Sequence, residues 1–209
     1  MTPGRIVLAT GNPGKVAELR ALVGEWGAVE VRSLADVGAV ELPEETGETY
    51  LENAVAKARA VAAATGLPAL ADDSGLEVVA LGGAPGVRSS RWAATDAARI
   101  ATLLDALAGA ADRRARFVCV VAMAWPDGRV ETAEGRCEGR IAPAAAGQGG
   151  FGYDPVFVCD ELGATFAGVS AAAKARVSHR AAAVRALGAR LRAAGSERCV
   201  DAAARANPS

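Results

Sequence analysis

Two long strand-like segments that flank a tight turn restrict the possible folds of this chain most strongly. Residues 116–125 and 129–141 have the length and composition of strands, and Pro126-Asp127-Gly128 lies between them. Because proline, aspartate and glycine favour a reverse turn, the pattern predicts a long antiparallel hairpin. Strand-like and helix-like segments alternate around this hairpin, which predicts the α/β class with a mixed sheet.

Shorter elements are predicted on both sides of the hairpin. Strand-like segments cover residues 5–10, 29–34, 67–71, 76–81 and 155–158. Helical periodicity begins after the capping residues Asn12, Thr49 and Ser178, each of which can satisfy the first free N–H groups of a helix. A further amphipathic helix is predicted over residues 95–107. The last helix is expected to end near Ala194, and the tail 201–209 is expected to be frayed.

The composition is typical of a globular protein. The chain has 209 residues, of which 51% are hydrophobic and 22% are charged. This length suits a single domain that spans residues 1–209, and no linker divides it. The formal net charge is −1, so no overall positive field would attract a nucleic acid polymer or an anionic membrane. A polyanionic ligand must therefore be bound by local positive charges.

The cysteines and the N-terminus favour a cytoplasmic location. The four cysteines form no Cys-x-x-Cys pair, so we expect free buried thiols in a reducing compartment rather than a zinc site or a disulfide framework. The first residues lack a basic segment followed by a long apolar run, and no apolar segment approaches the length of a membrane span. Neither a signal peptide nor a transmembrane helix is expected.

Two adjacent carboxylates, Asp72 and Asp73, provide the strongest indication of chemistry. They follow the apolar segment 67–71 and precede Ser74-Gly75. Because aspartate and glycine are poor strand residues, the pair is expected where a strand ends and a loop begins. Carboxylates there can hold a divalent cation such as Mg²⁺ and accept a proton from water. The alternative is a turn whose aspartates cap their own backbone.

The segment Thr10-Gly11-Asn12-Pro13-Gly14-Lys15 has the features of a phosphate cradle. Its glycines allow close approach of an anion, its helix start presents free N–H groups, and its lysine adds a positive charge. The spacing is too short for a Walker A motif, and no serine or threonine follows the lysine. An ordinary strand-to-helix turn with a solvated lysine is the alternative.

Two further groups of polar residues follow in the chain. The acidic loop before the second long helix contains Glu44 and Glu45, and either could join Asp73 on a metal or remain a solvated carboxylate. On that helix, Asn53 and Lys57 are four residues apart and share a face. This face points either at a ligand or at water, and Lys57 is a candidate for substrate binding.

The C-terminal half contains a glycine-rich segment and three cationic side chains. In Gly147-Gln148-Gly149-Gly150-Phe151-Gly152-Tyr153-Asp154, Phe151 could stack on a base and Asp154 could accept hydrogen bonds from a base edge. The cationic side chains are Lys174, His179 and Arg180. Because His179 and Arg180 fall in the first turn of a helix, where positive charge is unfavourable, we expect an anionic or carbonyl-bearing ligand beside them.

Six motifs follow one another in a fixed order. They are Thr10-Gly11-Asn12-Pro13-Gly14-Lys15, Glu44-Glu45-Thr46-Gly47, Ala71-Asp72-Asp73-Ser74-Gly75-Leu76, Gly82-Gly83-Ala84-Pro85-Gly86-Val87, Gly150-Phe151-Gly152-Tyr153-Asp154-Pro155 and Ser178-His179-Arg180. Together they resemble the noncanonical purine nucleoside triphosphate pyrophosphatases, also called the inosine triphosphatase or Ham1 family. The resemblance extends from about residue 5 to about residue 194.

The resemblance implies a fold, an activity and a set of site residues. It implies an elongated mixed α/β fold with two lobes around a cleft, a homodimer, and Mg²⁺-dependent hydrolysis of XTP, ITP or dITP to the monophosphate and pyrophosphate. It implies that Glu44 and Asp73 hold the metal and that Asp73 is also the general base. The implied substrate contacts are Thr10, Gly11, Asn12, Pro13, Gly14 and Lys15 at the phosphates, Ser74 beside them, and Phe151, Gly152, Tyr153, Asp154, Lys174, His179 and Arg180 around the base.

The residue types suit this chemistry. A 6-oxo purine presents an acceptor where adenine presents a donor, so donors at Lys174, His179 or Arg180 would favour it over adenine. The chain departs from the family pattern at Ala171-Ala172-Ala173, where acidic or polar residues usually precede the lysine. Two alternatives stay open: a related Maf-like hydrolase of pyrimidine or modified nucleotides, and a nucleotide sensor without turnover.

Overall fold

A computed structural model describes residues 3–38 and 40–205, and the side chains of residues 3–38 and 40–194. Its strands are β1 Arg5–Leu8, β2 Glu30–Arg32, β3 Ala69–Val78, β4 Arg114–Ala124, β5 Val130–Ile141, β6 Phe157–Cys159 and β7 Ala164–Thr165. Its helices are α1 Pro13–Gly24, α2 Leu34–Val37, α3 Tyr50–Thr65, α4 Asp96–Ala106, α5 Ala171–Val177 and α6 His179–Arg205, with short 3₁₀ helices at 79–81, 86–91 and 166–168.

The strands form one twisted mixed sheet in the order β2-β1-β3-β4-β5-β6-β7. β1 pairs in parallel with β2 and β3, and all later pairs are antiparallel. The predicted hairpin is β4–β5, in which Ala124 lies opposite Val130. At its turn, the Gly128 N–H donates to the Trp125 carbonyl over 3.0 Å. The predicted α/β class with a mixed sheet is therefore confirmed.

The predicted caps determine where the helices begin. The Asn12 side chain accepts from the Lys15 N–H, the Thr49 side chain from the Glu52 N–H, and the Ser178 side chain from the Ala181 N–H. The last helix continues beyond the predicted end near 194 and reaches 205. Residues 201–205 are thus helical rather than frayed, and 206–209 lie outside the described residues.

Three apolar clusters hold the helices against the sheet. One packs α1 and α6 on one face, with Leu19, Leu70 and Val184 at its centre. A second packs the alanine-rich face of α3 on the opposite face. The third fills the far end of the long strands around Phe117 and Phe157.

The strand β3 corrects the sequence prediction for the carboxylate pair. Asp72 and Asp73 lie in the middle of a continuous strand, Ala69–Val78, and not where a strand ends. β4 pairs with this strand along its whole length, which outweighs the poor strand propensity of aspartate and glycine. The strand stops at Val78 instead of continuing to 81, because residues 79–81 form a 3₁₀ helix.

The cysteines that the structure describes agree with the expectation of free, buried thiols. Cys119, Cys137 and Cys159 are free and buried, and burial raises the pKa of the Cys119 thiol to about 12. The side chain of Cys199 lies outside the described side chains. Across the described ranges, every helix is too short or too polar to cross a lipid bilayer.

Candidate active site

A cavity of about 260 Å³ lies between the start of α1, the middle of β3 and the loop before β6. β1 pairs only with Ala69 and Leu70 of β3, so the chain after β1 separates from β3 and leaves this space. The predicted residues on its wall are Thr10, Gly11, Asn12, Lys15, Lys57, Asp73, Ser74, Phe151, Gly152, Tyr153, Asp154, Lys174, His179 and Arg180. Pro13, Gly14 and Glu44 do not line it.

The two adjacent carboxylates point to opposite faces of β3, because side chains alternate along a strand. Asp73 lies on the α3 face. Its carboxylate accepts a hydrogen bond from the Asn53 amide at 3.0 Å and lies 3.4 Å from the Lys57 ammonium. The shared face of Asn53 and Lys57 therefore points at Asp73 and not at water, and Lys57 also lines the cavity.

The surroundings of Asp73 suit a general base. Burial raises the pKa of its carboxyl group, and Lys57 and Asn53 lower it only in part, so the net shift is upward. A carboxylate with a raised pKa has a greater affinity for a proton than a solvated one. Because Asp73 also lines the cavity, it can take a proton from a water molecule bound there.

The acidic loop contributes Glu45 to the cavity rather than Glu44, which the resemblance implied as a metal ligand. Glu44 is exposed, whereas the Glu45 carboxylate lies 2.5 Å from the Lys57 ammonium. Arg91 holds this part of the loop by donating to the Glu45 carbonyl. The loop therefore turns the second glutamate of the pair toward Asp73 and leaves the first in solvent.

The donor set fits Mg²⁺. The carboxylates of Glu45 and Asp73 converge on one cation, the Lys57 ammonium, so this corner already concentrates negative charge. Among the described residues, no group of three or more His, Cys, Asp or Glu side chains forms a protein-only metal cage. Mg²⁺ is commonly held by one or two carboxylates together with phosphate oxygens and water.

Asp72 lies on the other face of β3 and is completely buried. Its Oδ2 atom accepts two hydrogen bonds from Arg180, at 3.0 and 3.1 Å, and lies 3.1 Å from the Lys15 ammonium. Burial alone would raise the pKa of this carboxyl group, but Lys15 and Arg180 reverse the shift and hold it well below its usual range. Asp72 is therefore a permanent anion that fixes two cations.

Glu18 is a further site residue, which the sequence motifs did not predict. Its carboxylate pairs with the Lys174 ammonium at 2.8 Å and with the Arg180 guanidinium. These two cations keep its pKa low although burial opposes this. The sequence feature that points to Glu18 is its three-residue spacing from Lys15, which places both residues on one face of α1.

The positive charge in the first turn of α6 is balanced by carboxylates of the protein and not, as predicted from the sequence, by a ligand. Arg180 is buried and its charge is balanced inside the protein by Asp72 and Glu18, so no ligand is needed for this. His179 is neutral, because burial and the nearby Arg180 and Lys174 hold its pKa well below the ordinary value. Its ring stacks on Phe117 with 4.5 Å between centroids.

The glycine-rich loop, residues 147–154, places an aromatic ring beside the buried charges. Asp154 accepts from the Phe151 N–H at 2.9 Å and from the Lys174 ammonium at 2.5 Å. The same ammonium lies 4.9 Å from the centroid of the Phe151 ring. Asp154 and Glu18 thus determine the position of Lys174, although three alanines precede it.

The start of α1 approaches this loop closely. A Cβ atom on Gly14 would lie 2.5 Å from the Phe151 ring, so only glycine allows the ring to pack there. Thr10 accepts a hydrogen bond from the Asn12 N–H at 3.2 Å, which shapes the turn. The turn predicted to cradle phosphates therefore also supports the ring predicted to stack on the base.

Comparison with known proteins agrees with this geometry. The family model described as the Ham1 family matches residues 6–190. A dITP/XTP pyrophosphatase of Thermus thermophilus is 54% identical over 187 residues, which cover 88% of this chain and 89% of that protein. A dITP/XTP pyrophosphatase of Desulfotalea psychrophila is 49% identical over 178 residues, covering 84% and 79% of the two chains.

Solved structures give the same result. A HAM1 protein from Coxiella burnetii superimposes with a TM-score of 0.79 at 43% identity, over 90% of this chain and 98% of that one. A nucleoside-triphosphatase, dITP/XTP pyrophosphatase, from Mycobacterium abscessus gives a TM-score of 0.70 at 44% identity, with the same coverage. The cavity, its carboxylates and these matches define one class of protein: the chain belongs to the Ham1 family.

Proposed function

We propose that the chain is a Mg²⁺-dependent pyrophosphatase that converts dITP, XTP and ITP to the nucleoside monophosphate and pyrophosphate. The observation that carries the proposal is Asp73, a carboxylate with a raised pKa that faces a cavity also lined by Lys15 and Lys57. Pyrophosphatase activity as such follows from family membership and from relatives named dITP/XTP pyrophosphatase. The nucleotide and metal preferences are the parts that need testing.

In this mechanism Asp73 orients a water molecule and removes its proton as the water attacks the α-phosphorus. The bond from this phosphorus to the oxygen that bridges to the β-phosphate breaks, and pyrophosphate leaves with that oxygen. Lys15, Lys57 and the N–H groups at the start of α1 neutralise charge that develops on the phosphate oxygens. Asp73 and Glu45 would hold Mg²⁺, which would supply further charge neutralisation at the phosphates. The chain needs no covalent intermediate, because positioning and charge stabilisation account for this type of reaction.

The base would bind at the other end of the cavity. Lys174 has three N–H groups, two of which are directed to Asp154 and Glu18. The remaining one can donate to the 6-oxo group of hypoxanthine or xanthine, whereas the amino group of adenine would leave it unpaired. Phe151 offers a ring face on which the purine can stack.

Two further properties belong to the proposal. The family resemblance implies a homodimer, and the free buried thiols favour a reducing, cytoplasmic location. Sedimentation of the purified protein tests the first, since a homodimer would have about twice the mass of the 21.0 kDa chain. Fractionation of the source cells tests the second.

The test of the function is hydrolysis of dITP, XTP, ITP, GTP, ATP and dTTP with Mg²⁺ and with EDTA, with pyrophosphate and orthophosphate measured separately. We expect Mg²⁺-dependent release of pyrophosphate from dITP, XTP and ITP. Release of orthophosphate instead of pyrophosphate would mean that water attacks a different phosphorus, which would contradict the proposed reaction. Turnover of dTTP would favour the Maf-like alternative, and tight binding without turnover would favour a sensor.

Variants of the two neighbouring glutamates test which of them holds the metal. Glu45→Gln removes a carboxylate that faces Asp73, so the Mg²⁺ concentration for half-maximal rate should rise by about tenfold. Glu44→Gln changes an exposed residue of the same loop and serves as the matched control. If Glu44→Gln raises this Mg²⁺ concentration and Glu45→Gln does not, Glu44 would be the metal ligand, as the resemblance implied.

A further inference from the structure

The loop that carries Phe151 depends on contacts from outside itself. Gly150 and Gly152, on either side of the ring, have φ angles of 71° and 61°. Glycine adopts this left-handed conformation readily, but it also loses more conformational freedom on ordering than any other residue. The time that the ring spends over the cavity is therefore determined by the groups that hold the loop backbone.

The first residue of α4 is one of these groups. The Asp96 Oδ2 atom accepts a hydrogen bond from the Gly152 N–H over 2.7 Å. Its Oδ1 atom lies 2.8 Å from the Arg99 guanidinium, and Arg99 also donates to the Ala93 carbonyl over 3.0 Å. Arg99 thereby fixes the orientation of the carboxylate that holds the loop.

The position of this contact distinguishes it from the other anchors of the loop. Gly149 donates to the Ala167 carbonyl on one side, and the Tyr153 hydroxyl donates to the Ser89 carbonyl on the other. Asp96 holds the peptide N–H immediately after Phe151. A hydrogen bond to an ionised acceptor is also stronger than one between neutral groups.

We propose that Asp96 is a positioning residue, which keeps Phe151 over the base-binding end of the cavity by holding the Gly152 N–H. This inference rests on the proposed function, because it assigns Phe151 to the purine. Asp96 is on α4, which carries none of the residues assigned to the base, metal and phosphates. Its side chain also lines the cavity, but both of its carboxylate oxygens are already engaged, one by Gly152 and one by Arg99. Its loss should therefore weaken substrate binding and leave the chemical step almost unchanged.

Steady-state kinetics with dITP and Mg²⁺ separate these effects. Asp96→Ala should raise KM about tenfold while kcat stays within about threefold of the wild-type value. Asp96→Asn keeps an acceptor oxygen and should restore KM to within about threefold. Asp105→Ala, on the exposed side of the same helix, is the matched control and should change neither constant.

Two kinetic results would overturn the proposal. One is a wild-type KM in Asp96→Ala, and the other is equal impairment of the alanine and asparagine variants. A general loss of folded protein would lower the apparent kcat and leave KM unchanged, so it would not imitate the expected result.

Hydrogen exchange of the Gly152 amide in the ligand-free protein tests the contact without turnover. We expect exchange about tenfold faster in Asp96→Ala than in the wild type, with Asp96→Asn near the wild-type rate. Equal exchange in Asp96→Ala and the wild type would overturn the proposal. A wild-type protein that releases no pyrophosphate from dITP would instead refute the proposed function, while the exchange data would still decide whether Asp96 holds the loop.

Discussion

Asp72 and Asp73 are neighbours on one strand, and yet their surroundings differ almost completely. Asp72 is fully buried and paired with Arg180 and Lys15, which hold its pKa below the usual range. Asp73 lines the cavity, and burial raises its pKa more than Lys57 lowers it. The same side chain is thus a permanent anion on one face of β3 and a proton acceptor on the other.

This difference follows from the alternation of side chains along a strand. One face of β3 meets α1 and α6, which bring two cations, and the other meets α3, which brings one lysine and one amide. Two carboxylates whose pKa values are moved apart can be given different tasks. We assign the structural task to Asp72 and the chemical task to Asp73, a division that variants of the two residues can test.

The largest expected effect is the loss of catalytic rate in the variant Asp73→Asn. Removal of the general base should lower kcat for dITP by about 10²- to 10⁴-fold. The free energy of unfolding at pH 7 should not fall, because a raised pKa means that the folded protein favours the uncharged form. Rapid-quench or steady-state assays measure the first effect and urea denaturation the second.

The matched control for this variant is Asp105→Asn, an exposed aspartate on α4, which should keep the wild-type rate. If Asp73→Asn retains kcat within about threefold of the wild type while losing stability, the roles of the two carboxylates would be wrongly assigned.

The second effect is on stability and concerns Asp72→Asn. Arg180 is buried and would lose one of its two carboxylate partners, so the free energy of unfolding should fall by about 3 kcal/mol at pH 7. Because the folded pKa of Asp72 is lowered, its contribution is present above the unfolded value of about 3.9 and is lost as the pH falls toward the folded value. Urea denaturation of both proteins at several pH values measures this.

The difference in stability between the wild type and Asp72→Asn should therefore shrink as the pH falls below about 3.9. A difference that grows with acidity would mean that Asp72 is not the ionised partner of Arg180. A loss in Asp73→Asn as large as that in Asp72→Asn would also contradict the division of roles.

Features that depend on local sequence were predictable. The hairpin, the caps at Asn12, Thr49 and Ser178, and the α/β class all follow from short-range patterns, and the structure confirms them. Most residues of the candidate site were also predictable, because their motifs carry recognisable chemistry and resemble those of a known family.

Features that depend on long-range partners were not predictable. Asp72 can occupy the middle of a strand because Arg180, 108 positions later, neutralises it. The same pairing explains why the cationic turn of α6 needs no anionic ligand. The role of Glu18 was not predictable because an acidic residue on a helix is usually solvated, whereas here two buried cations contact it.

The sequence also could not show that Glu45, and not Glu44, turns toward the cavity, and here the reason is different. The two glutamates are adjacent in an irregular loop, and the sequence contains no periodicity that decides which one turns inward. The direction is determined by Lys57 and by Arg91, which contact Glu45 from α3 and from the 3₁₀ helix at 86–91.

The most direct test of the division between the two carboxylates is an NMR titration of their side-chain carboxyl carbons in the ligand-free protein. The account predicts that Asp73 titrates above the ordinary value of about 3.9 and Asp72 below it. Titration of both groups on the same side of that value, or in the reverse order, would contradict it.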